Sequence, residues 1–282
     1  MKNIVVGIDF SQNSENALRH AVAIGLRSNA KIHIVWVKTP TAATKLDVED
    51  EDEMMKKAHV KLDEFVAHAR MEAPKNEIQG VILEGKAYLK LTQYAANIPD
   101  ALLVVGSHGA SGFEEMFIGS NTMKVVGLTK VPVLIIGSHV KANRDLTKIL
   151  TPIDMSFETL QKMKMATECA RYFSAKVHIL GLCEPGSAEV KHAINVQVNH
   201  AKNICDAAAV RCAASTIDIH GNTPDAVVEW AKNEDVNLIV VMREEEDDIS
   251  AFWLGSHTRQ MMNLAPMPLM VIPNVNHSSV DI

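Results

Sequence analysis

The chain has 282 residues, a length that predicts about two domains. Hydrophobic residues make up 47% of it and aromatic residues 5%, so it can bury ordinary globular cores. The formal net charge is −6 and no run is rich in Lys or Arg, which predicts that the protein does not bind nucleic acid.

The apolar segments are short. None approaches the length of a membrane-spanning helix, so no membrane contact is expected. Near the N-terminus, residues 4–8 are apolar but Asp9 ends the run, which is too short for the apolar part of a signal peptide. The cysteines form no Cys-x-x-Cys pair and are expected to be reduced, mostly buried thiols of a cytoplasmic protein: Cys169, Cys183, Cys205 and Cys212.

The first half begins with a strand–helix–strand pattern. Residues 3–8 form an apolar, β-branched run typical of a strand buried on both faces, and Asp9 follows its carboxyl end. Ser11 or Ser14 can cap the next helix, and residues 31–37 form the second strand. A helix of this length between two strands predicts a parallel βαβ unit with a right-handed crossover.

A long helix and three strands complete this half. The helix is predicted over residues 53–71, with Met55 and Leu62 on or near its apolar face, and the strands over 78–83, 101–105 and 131–136. Residues 80–87 nearly match the P-loop pattern. That assignment is rejected because Ala87 stands where a hydroxyl must reach magnesium, and because the spacer is an apolar strand.

A glycine-rich segment follows the fourth strand. Gly106, Gly109 and Gly119 with Ser120 give the spacing Gly-x2-Gly-x9-Gly-Ser. Glycine can take φ > 0 and let the backbone approach a ligand, and the N–H groups at Ser120 and Asn121 would open a helix whose dipole favours an anion. We interpret the segment as a phosphate-binding loop. The alternative is an ordinary strand-to-helix turn with glycines for tight packing.

The pattern restarts after residues 138–147, a polar segment interpreted as a linker. Segments of the second half match the first in order and type: 149–154 with 4–9, 175–179 with 30–34, Gly221 with Gly85, 238–241 with 102–105, 254–258 with 118–122, and 268–272 with 132–136. This duplication predicts two α/β domains, residues 1–140 and 146–275. Each is expected to be an open five-stranded parallel sheet with helices on both faces.

These features together resemble a tandem universal stress protein over nearly the whole chain. The resemblance rests on the strand-1 Asp in both halves, the Gly-Ser-His-Gly loop, the nine-residue spacer, the Gly-Ser-Asn-Thr after it and the Pro-Val-Leu-Ile-Ile last strand. It implies a Rossmann-like fold of the adenine nucleotide alpha hydrolase type. It also implies that the two halves pair within the chain through their last strands, with a homodimer as a further arrangement.

The resemblance implies that the first half binds ATP, or another adenine nucleotide, with or without Mg²⁺. Asp9 and Val37 would lie near the adenine and ribose, and the glycine segment would surround the ribose and phosphates. The predicted nucleotide-binding set is Ile8, Asp9, Val37, Gly106, Ser107, Gly109, Gly119, Ser120 and Asn121. Two roles stay open for Asp9, contact with the ligand and capping of the next turn. His108 could donate to a phosphate, and the alternative is a surface side chain.

The second half departs from the glycine pattern. Met242 stands in place of Gly106 and Glu245 in place of Gly109, inside an acidic run at residues 244–248. Each carboxylate close to a triphosphate would cost on the order of 1 kcal/mol even when screened by water. We predict that this half does not bind ATP in the family manner. The acidic run could bind a cation or be a solvated turn.

Three functions are consistent with these features. The first is a cytoplasmic stress protein that acts as a sensor or protective factor through nucleotide occupancy in its N-terminal domain and through unidentified protein partners. The second is a slow ATP hydrolase, for which no water-activating base is evident beside the glycine segment. The third is an interaction scaffold that binds no nucleotide.

Overall fold

The computed structural model describes residues 1–40, 50–108, 118–138, 140, 146–156, 158–184, 188–243 and 255–274. The chain divides into two compact units, Met1–Arg144 and Asp145–Ile282. Among the helices within these described ranges, none is long and apolar enough to cross a bilayer.

The first unit alternates strands and helices. Its elements are β1 (Asn3–Ile8), α1 (Gln12–Ser28), β2 (Lys31–Lys38), α2 (Glu51–Glu72), β3 (Ile78–Glu84), α3 (Ala87–Ala96), β4 (Ala101–Gly106), α4 (Ser120–Leu128) and β5 (Val133–Ile136). The strands are parallel and follow the order β3-β2-β1-β4-β5. The predicted five-stranded parallel sheet is therefore confirmed for this unit.

The central strands carry the core because helices cover both faces of the sheet. Ile4, Val5 and Val6 of β1 and Leu102 and Leu103 of β4 are fully buried. A strand covered on both sides has no solvent face, which explains why its sequence is continuously apolar and does not alternate.

Helix α2 differs from its prediction in two details. It begins two residues earlier, where the Asp50 side chain caps it by accepting a hydrogen bond from the Glu53 N–H at 2.9 Å. Its buried face contains Leu62, as predicted, but near its start Met54 and Ala58 are buried, so there the predicted face, which included Met55, was displaced by one residue. Hydrophobic periodicity alone could not choose between the adjacent methionines.

The near match to a P-loop lies in a strand, as expected. Residues 80–84 belong to β3, at the edge of the unit's sheet. The four spacer positions of the pattern, 81–84, are therefore strand and not loop. Gly80 is needed for packing, since a Cβ there would lie 2.9 Å from Cγ of Leu62 on α2.

The second unit repeats the architecture. Its elements are β6 (Lys148–Ile153), a 3₁₀ turn (Glu158–Leu160), α5 (Lys162–Phe173), β7 (Lys176–Cys183), α6 (Ala188–Ala207), β8 (Cys212–Asp218), α7 (Thr223–Asn233), β9 (Leu238–Met242), α8 (Ser256–Leu264) and β10 (Leu269–Ile272). The parallel strands follow the order β8-β7-β6-β9-β10. This order is that of the first unit, so the internal duplication extends to topology.

Candidate functional site

A cleft opens in the first unit at the carboxyl ends of β1 and β4. These neighbours continue to strands on opposite sides, β1 to β2 and β4 to β5. Chain connections that diverge in this way leave a crevice between them, where open α/β sheets bind ligands. Seven of the nine predicted residues line the cleft: Ile8, Asp9, Val37, Gly106, Gly119, Ser120 and Asn121.

The other two predicted residues are placed differently. Ser107 does not line the cleft: it is buried, and its hydroxyl lies 2.8 Å from Nδ1 of His108. Its backbone N–H donates to the Ile136 carbonyl at 2.8 Å and its carbonyl accepts from the Gly119 N–H at 2.9 Å. Ser107 therefore holds the end of β4 against β5 and the start of α4. Gly109 lies outside the described residues.

Asp9 has a structural role in the turn after β1. Its Oδ1 accepts hydrogen bonds from the Ser11 hydroxyl at 2.5 Å and the Ser11 N–H at 3.2 Å. The Ser11 hydroxyl oxygen in turn accepts from the Ser14 N–H at 3.2 Å and caps α1. The capping role left open for Asp9 is thus present, and the turn presents this carboxylate at the cleft wall.

Phe10 is a cleft residue that the sequence analysis missed. It has φ of 64°, a left-handed conformation that is uncommon for a non-glycine residue. This conformation turns the ring toward Trp36, with ring centroids 5.7 Å apart, and toward Phe65 of α2 at 5.8 Å. Phe10 and Trp36 both line the cleft and give it an aromatic side. Only the position of Phe10 beside Asp9 could have suggested this.

Gly106 lets β4 end close to the start of α1. A Cβ at this position would lie 2.9 Å from Nδ2 of Asn13 and 3.2 Å from its backbone oxygen. The Gly106 carbonyl accepts a hydrogen bond from the Thr122 hydroxyl at 2.9 Å, which fixes α4 to the strand end. A side chain at position 106 would displace either the end of β4, which lines the cleft, or the first turn of α1.

The N-terminus of α4 points a partial positive charge into the cleft. Gly119 is its N-cap and supplies no capping side chain. The first N–H groups of a helix have no partner within it, and the helix dipole favours an anion beside them. Ser120 and Asn121 line the cleft at this point. The arrangement can bind a phosphate or carboxylate group.

Other polar side chains lie at the rim. His108 is half-buried and lines the cleft, so both interpretations of its side chain stay open. Its carbonyl accepts from Nδ2 of Asn13 at 2.8 Å, which ties the loop to α1. Tyr88 of α3 also lines the cleft, and the Lys124 ammonium lies 5.0 Å from its ring centroid. Within the described part of the chain, no three His, Cys, Asp or Glu side chains are grouped as metal ligands.

The second unit has the same turn after its first strand, but the residue that ends its fourth strand differs. Ser156 donates to Oδ1 of Asp154 through its N–H at 2.8 Å and its hydroxyl at 2.6 Å, as Ser11 does to Asp9. Gly255 is again an N-cap without a capping side chain. Met242 ends β9 where Gly106 ends β4. Glu245 and the acidic run at 244–248 lie outside the described residues.

The strand order defines each unit as an open, doubly wound α/β domain, and the first unit has a cleft at the ends of its strands. A model of the universal stress protein family matches the chain twice, over residues 1–137 and 146–273. The chain therefore belongs to the universal stress protein family and contains two copies of its domain.

Individual relatives agree with this assignment. Universal stress protein Rv2005c of Mycobacterium tuberculosis is 29% identical over 132 residues, which cover 47% of this chain and 44% of the relative. This chain thus matches less than half the length of that relative. The crystal structure of a universal stress protein from Archaeoglobus fulgidus has a TM-score of 0.76 at 18% identity and covers 97% of both chains, which shows the shared fold.

A universal stress protein crystallised in complex with cAMP is 20% identical, covers 45% of this chain and 95% of its own, and has a TM-score of 0.37.

Proposed function

We propose that the first domain binds ATP or another adenine nucleotide and that the protein acts in a stress response through occupancy of this site. The observation that carries the proposal is the N-terminus of α4, which opens into the cleft beside Gly106 without a capping side chain. A phosphate group would satisfy these N–H groups and interact favourably with the helix dipole. Membership of the universal stress protein family supports a stress-related role.

Each part of the cleft suits a different part of a nucleotide. The N–H groups near Ser120 and Asn121 would bind phosphates, and Gly106 leaves room for them. Ile8, Val37 and the aromatic side formed by Phe10 and Trp36 would contact the apolar faces of the base and sugar. The Asp9 carboxylate would accept a hydrogen bond from a sugar hydroxyl or from the adenine amine.

The remaining predicted residues take supporting roles in this proposal. Ser107 would act from behind the cleft wall, by holding the end of β4 and the start of α4 together. Gly109 stays a predicted phosphate contact on sequence grounds alone. Mg²⁺, if it accompanies the nucleotide, would be held through the phosphates, because the described residues supply no group of three acidic, His or Cys ligands.

The second domain is proposed not to bind ATP in this way. Met242 adds a side chain where the first domain needs the close approach at Gly106. The acidic run at residues 244–248 would oppose a triphosphate. One nucleotide site per chain is the expected result.

A matched pair of substitutions tests the site. Ser120→Glu places a carboxylate at the first position of α4, where the helix dipole favours it, so the variant should fold normally. The same carboxylate would repel a bound phosphate by on the order of 1 kcal/mol, which predicts about fivefold weaker ATP binding or more by calorimetry. Ser256→Glu, at the first position of α8, should leave ATP affinity unchanged.

The outcomes separate the alternatives. Wild-type protein that binds neither ATP, ADP nor AMP would favour the interaction scaffold. Loss of affinity in Ser256→Glu but not in Ser120→Glu would move the site to the second domain and contradict the proposal. Repeated release of ADP that Ser120→Glu abolishes would favour the slow hydrolase.

A further inference from the structure

Two cysteines meet where α6 turns back into the edge strand β8. Helix α6 ends at Ala207, and Ala209 has φ of 53°, a left-handed conformation that reverses the chain. The Val210 N–H donates to the Cys205 carbonyl at 2.9 Å and closes this turn. Cys212 follows as the first residue of β8. The turn thus brings the last part of the helix and the start of the strand together.

The two thiols are in contact and differ in access to solvent. A side-chain hydrogen bond joins Cys205 and Cys212. Cys205 is fully buried between helix and sheet, whereas Cys212 is half-buried at the edge of its sheet. A solvent-borne oxidant therefore reaches Cys212 first, and Cys205 stands directly behind it.

The buried thiol is protected from direct oxidation. Burial, together with the neighbouring Cys212, raises the pKa of Cys205 well above that of a free thiol. Since the thiolate is the form that attacks peroxides, Cys205 reacts slowly with an oxidant on its own. The place of Cys205 directly behind Cys212, and not its acidity, makes it the thiol that can react with an oxidised Cys212.

We propose that Cys205 and Cys212 form a site of reversible oxidation, in which a hydroperoxide converts the thiol pair into an intrachain disulfide. This inference goes beyond nucleotide binding and concerns the second domain alone. The product would link α6 to β8 covalently across a short turn.

The reaction balances in two steps. The Cys212 thiolate sulfur attacks a peroxide oxygen, an S–O bond forms, the O–O bond breaks, and one water leaves after protonation. The Cys205 sulfur then attacks the Cys212 sulfenic acid: the S–S bond forms, the S–O bond breaks, and the Cys205 proton leaves with the hydroxide as a second water. The two thiols lose two electrons and two protons, and one hydrogen peroxide becomes two waters.

Peptide mapping after treatment with hydrogen peroxide tests the proposal directly. Trypsin cleaves after Lys202 and Arg211, so Cys205 lies in peptide 203–211 and Cys212 in peptide 212–232. The intact full-length chain is oxidised, its remaining thiols are blocked with N-ethylmaleimide, and the digest is analysed without reductant. The expected product is a linked pair of these peptides that dithiothreitol separates.

Variants and labelling sharpen the result. Cys183→Ser, which changes a buried cysteine of β7, should still give the linked pair. Cys205→Ser should instead accumulate a sulfenic acid on Cys212 that dimedone traps, and Cys212→Ser should give neither product. Each variant is checked for native circular dichroism. In a mixture of ¹⁵N-labelled and unlabelled protein, the two peptides of each linked pair should be either both labelled or both unlabelled, because the bond lies within a chain.

Three results would overturn the proposal. The first is oxidation of Cys212 to sulfinic acid without any linked pair. The second is a linked pair that contains one labelled and one unlabelled peptide, which would mean a bond between chains. The third is that both thiols of the folded protein stay reduced at a peroxide concentration that oxidises them in the urea-unfolded chain.

Discussion

At the scale of single residues, Lys162 distinguishes the two domains as sharply as the glycines do. It is buried at the start of α5, and its Nζ donates to the Thr159 hydroxyl at 2.8 Å. The equivalent position of α1 is Ala17, which is equally buried. Burial lowers the pKa of Lys162 to about 8, while the nearby Asp154 acts in the opposite direction. The second domain therefore carries a buried cation where the first has a methyl group.

We expect Lys162→Met to stabilise the second domain at pH 7. The folded state prefers the neutral amine, so the lysine costs stability below its unfolded pKa of 10.5, and the cost is complete below about pH 8. Replacement by an apolar side chain of similar length should raise the free energy of unfolding by up to about 3 kcal/mol. The gain should disappear as the pH approaches 10.5. Urea denaturation at several pH values measures it.

Lys164→Met is the control, because Lys164 is exposed on the same helix and should change stability little. If Lys162→Met were destabilising at pH 7, the ammonium would be held by a partner stronger than Thr159, and burial would not be the dominant effect on its stability.

At the scale of elements, the two copies use the same turn but begin their first helix differently. Ser11 anchors Asp9 and also caps α1. Ser156 anchors Asp154 in the same way, but a 3₁₀ turn follows, and the N-cap of α5 is Gln161, whose side chain makes no capping hydrogen bond. The side-chain cap thus belongs to the first copy of this turn alone.

Ser11→Ala should therefore cost more stability than Ser156→Ala. Both changes remove a hydrogen bond to a turn carboxylate, but only Ser11→Ala also removes a helix cap, which is worth about 1 kcal/mol. Urea midpoints of the two variants, each compared with wild type, give the difference. Equal losses would show that the cap of α1 contributes nothing measurable.

Helix α2 shows the limit of periodicity at this scale. Its existence and length were predictable from an apolar stripe, and the acidic residues before it suit a helix N-terminus. Which methionine faces the sheet depends on how the helix is rotated against β2 and β3, and that rotation is set by packing. Met54 is buried and Met55 is only half-buried.

At the scale of the whole molecule, the chain carries a duplicated domain with unequal copies. Both units share strand order and the turn after the first strand. They differ at Gly106 and Met242, which end equivalent strands. Nucleotide binding is thus expected in the first copy and not in the second.

This division predicts a stoichiometry of one ATP per chain. In calorimetric titration a single set of sites should appear. With saturating ATP, amide hydrogen exchange should slow at the carboxyl ends of β1 and β4 and at the N-terminus of α4. It should stay unchanged at the carboxyl ends of β6 and β9 and at the N-terminus of α8. Ligand at about 100 times its Kd should stabilise the first domain by about 2.7 kcal/mol. Protection of both copies would contradict the assignment of a degenerate second site.

The sequence by itself determined the duplicated α/β architecture, the approximate positions of the strands and seven of the residues that line the cleft. These features follow from short-range signals: runs of apolar residues, helix caps and glycine spacing, each repeated in order along the chain. Tertiary structure alone decided that Phe10 turns its ring to Trp36, that Ser107 lies behind the cleft wall, and that Cys205 touches Cys212. Such contacts depend on backbone handedness at one residue and on how separate elements pack, and no local pattern of residue types encodes either.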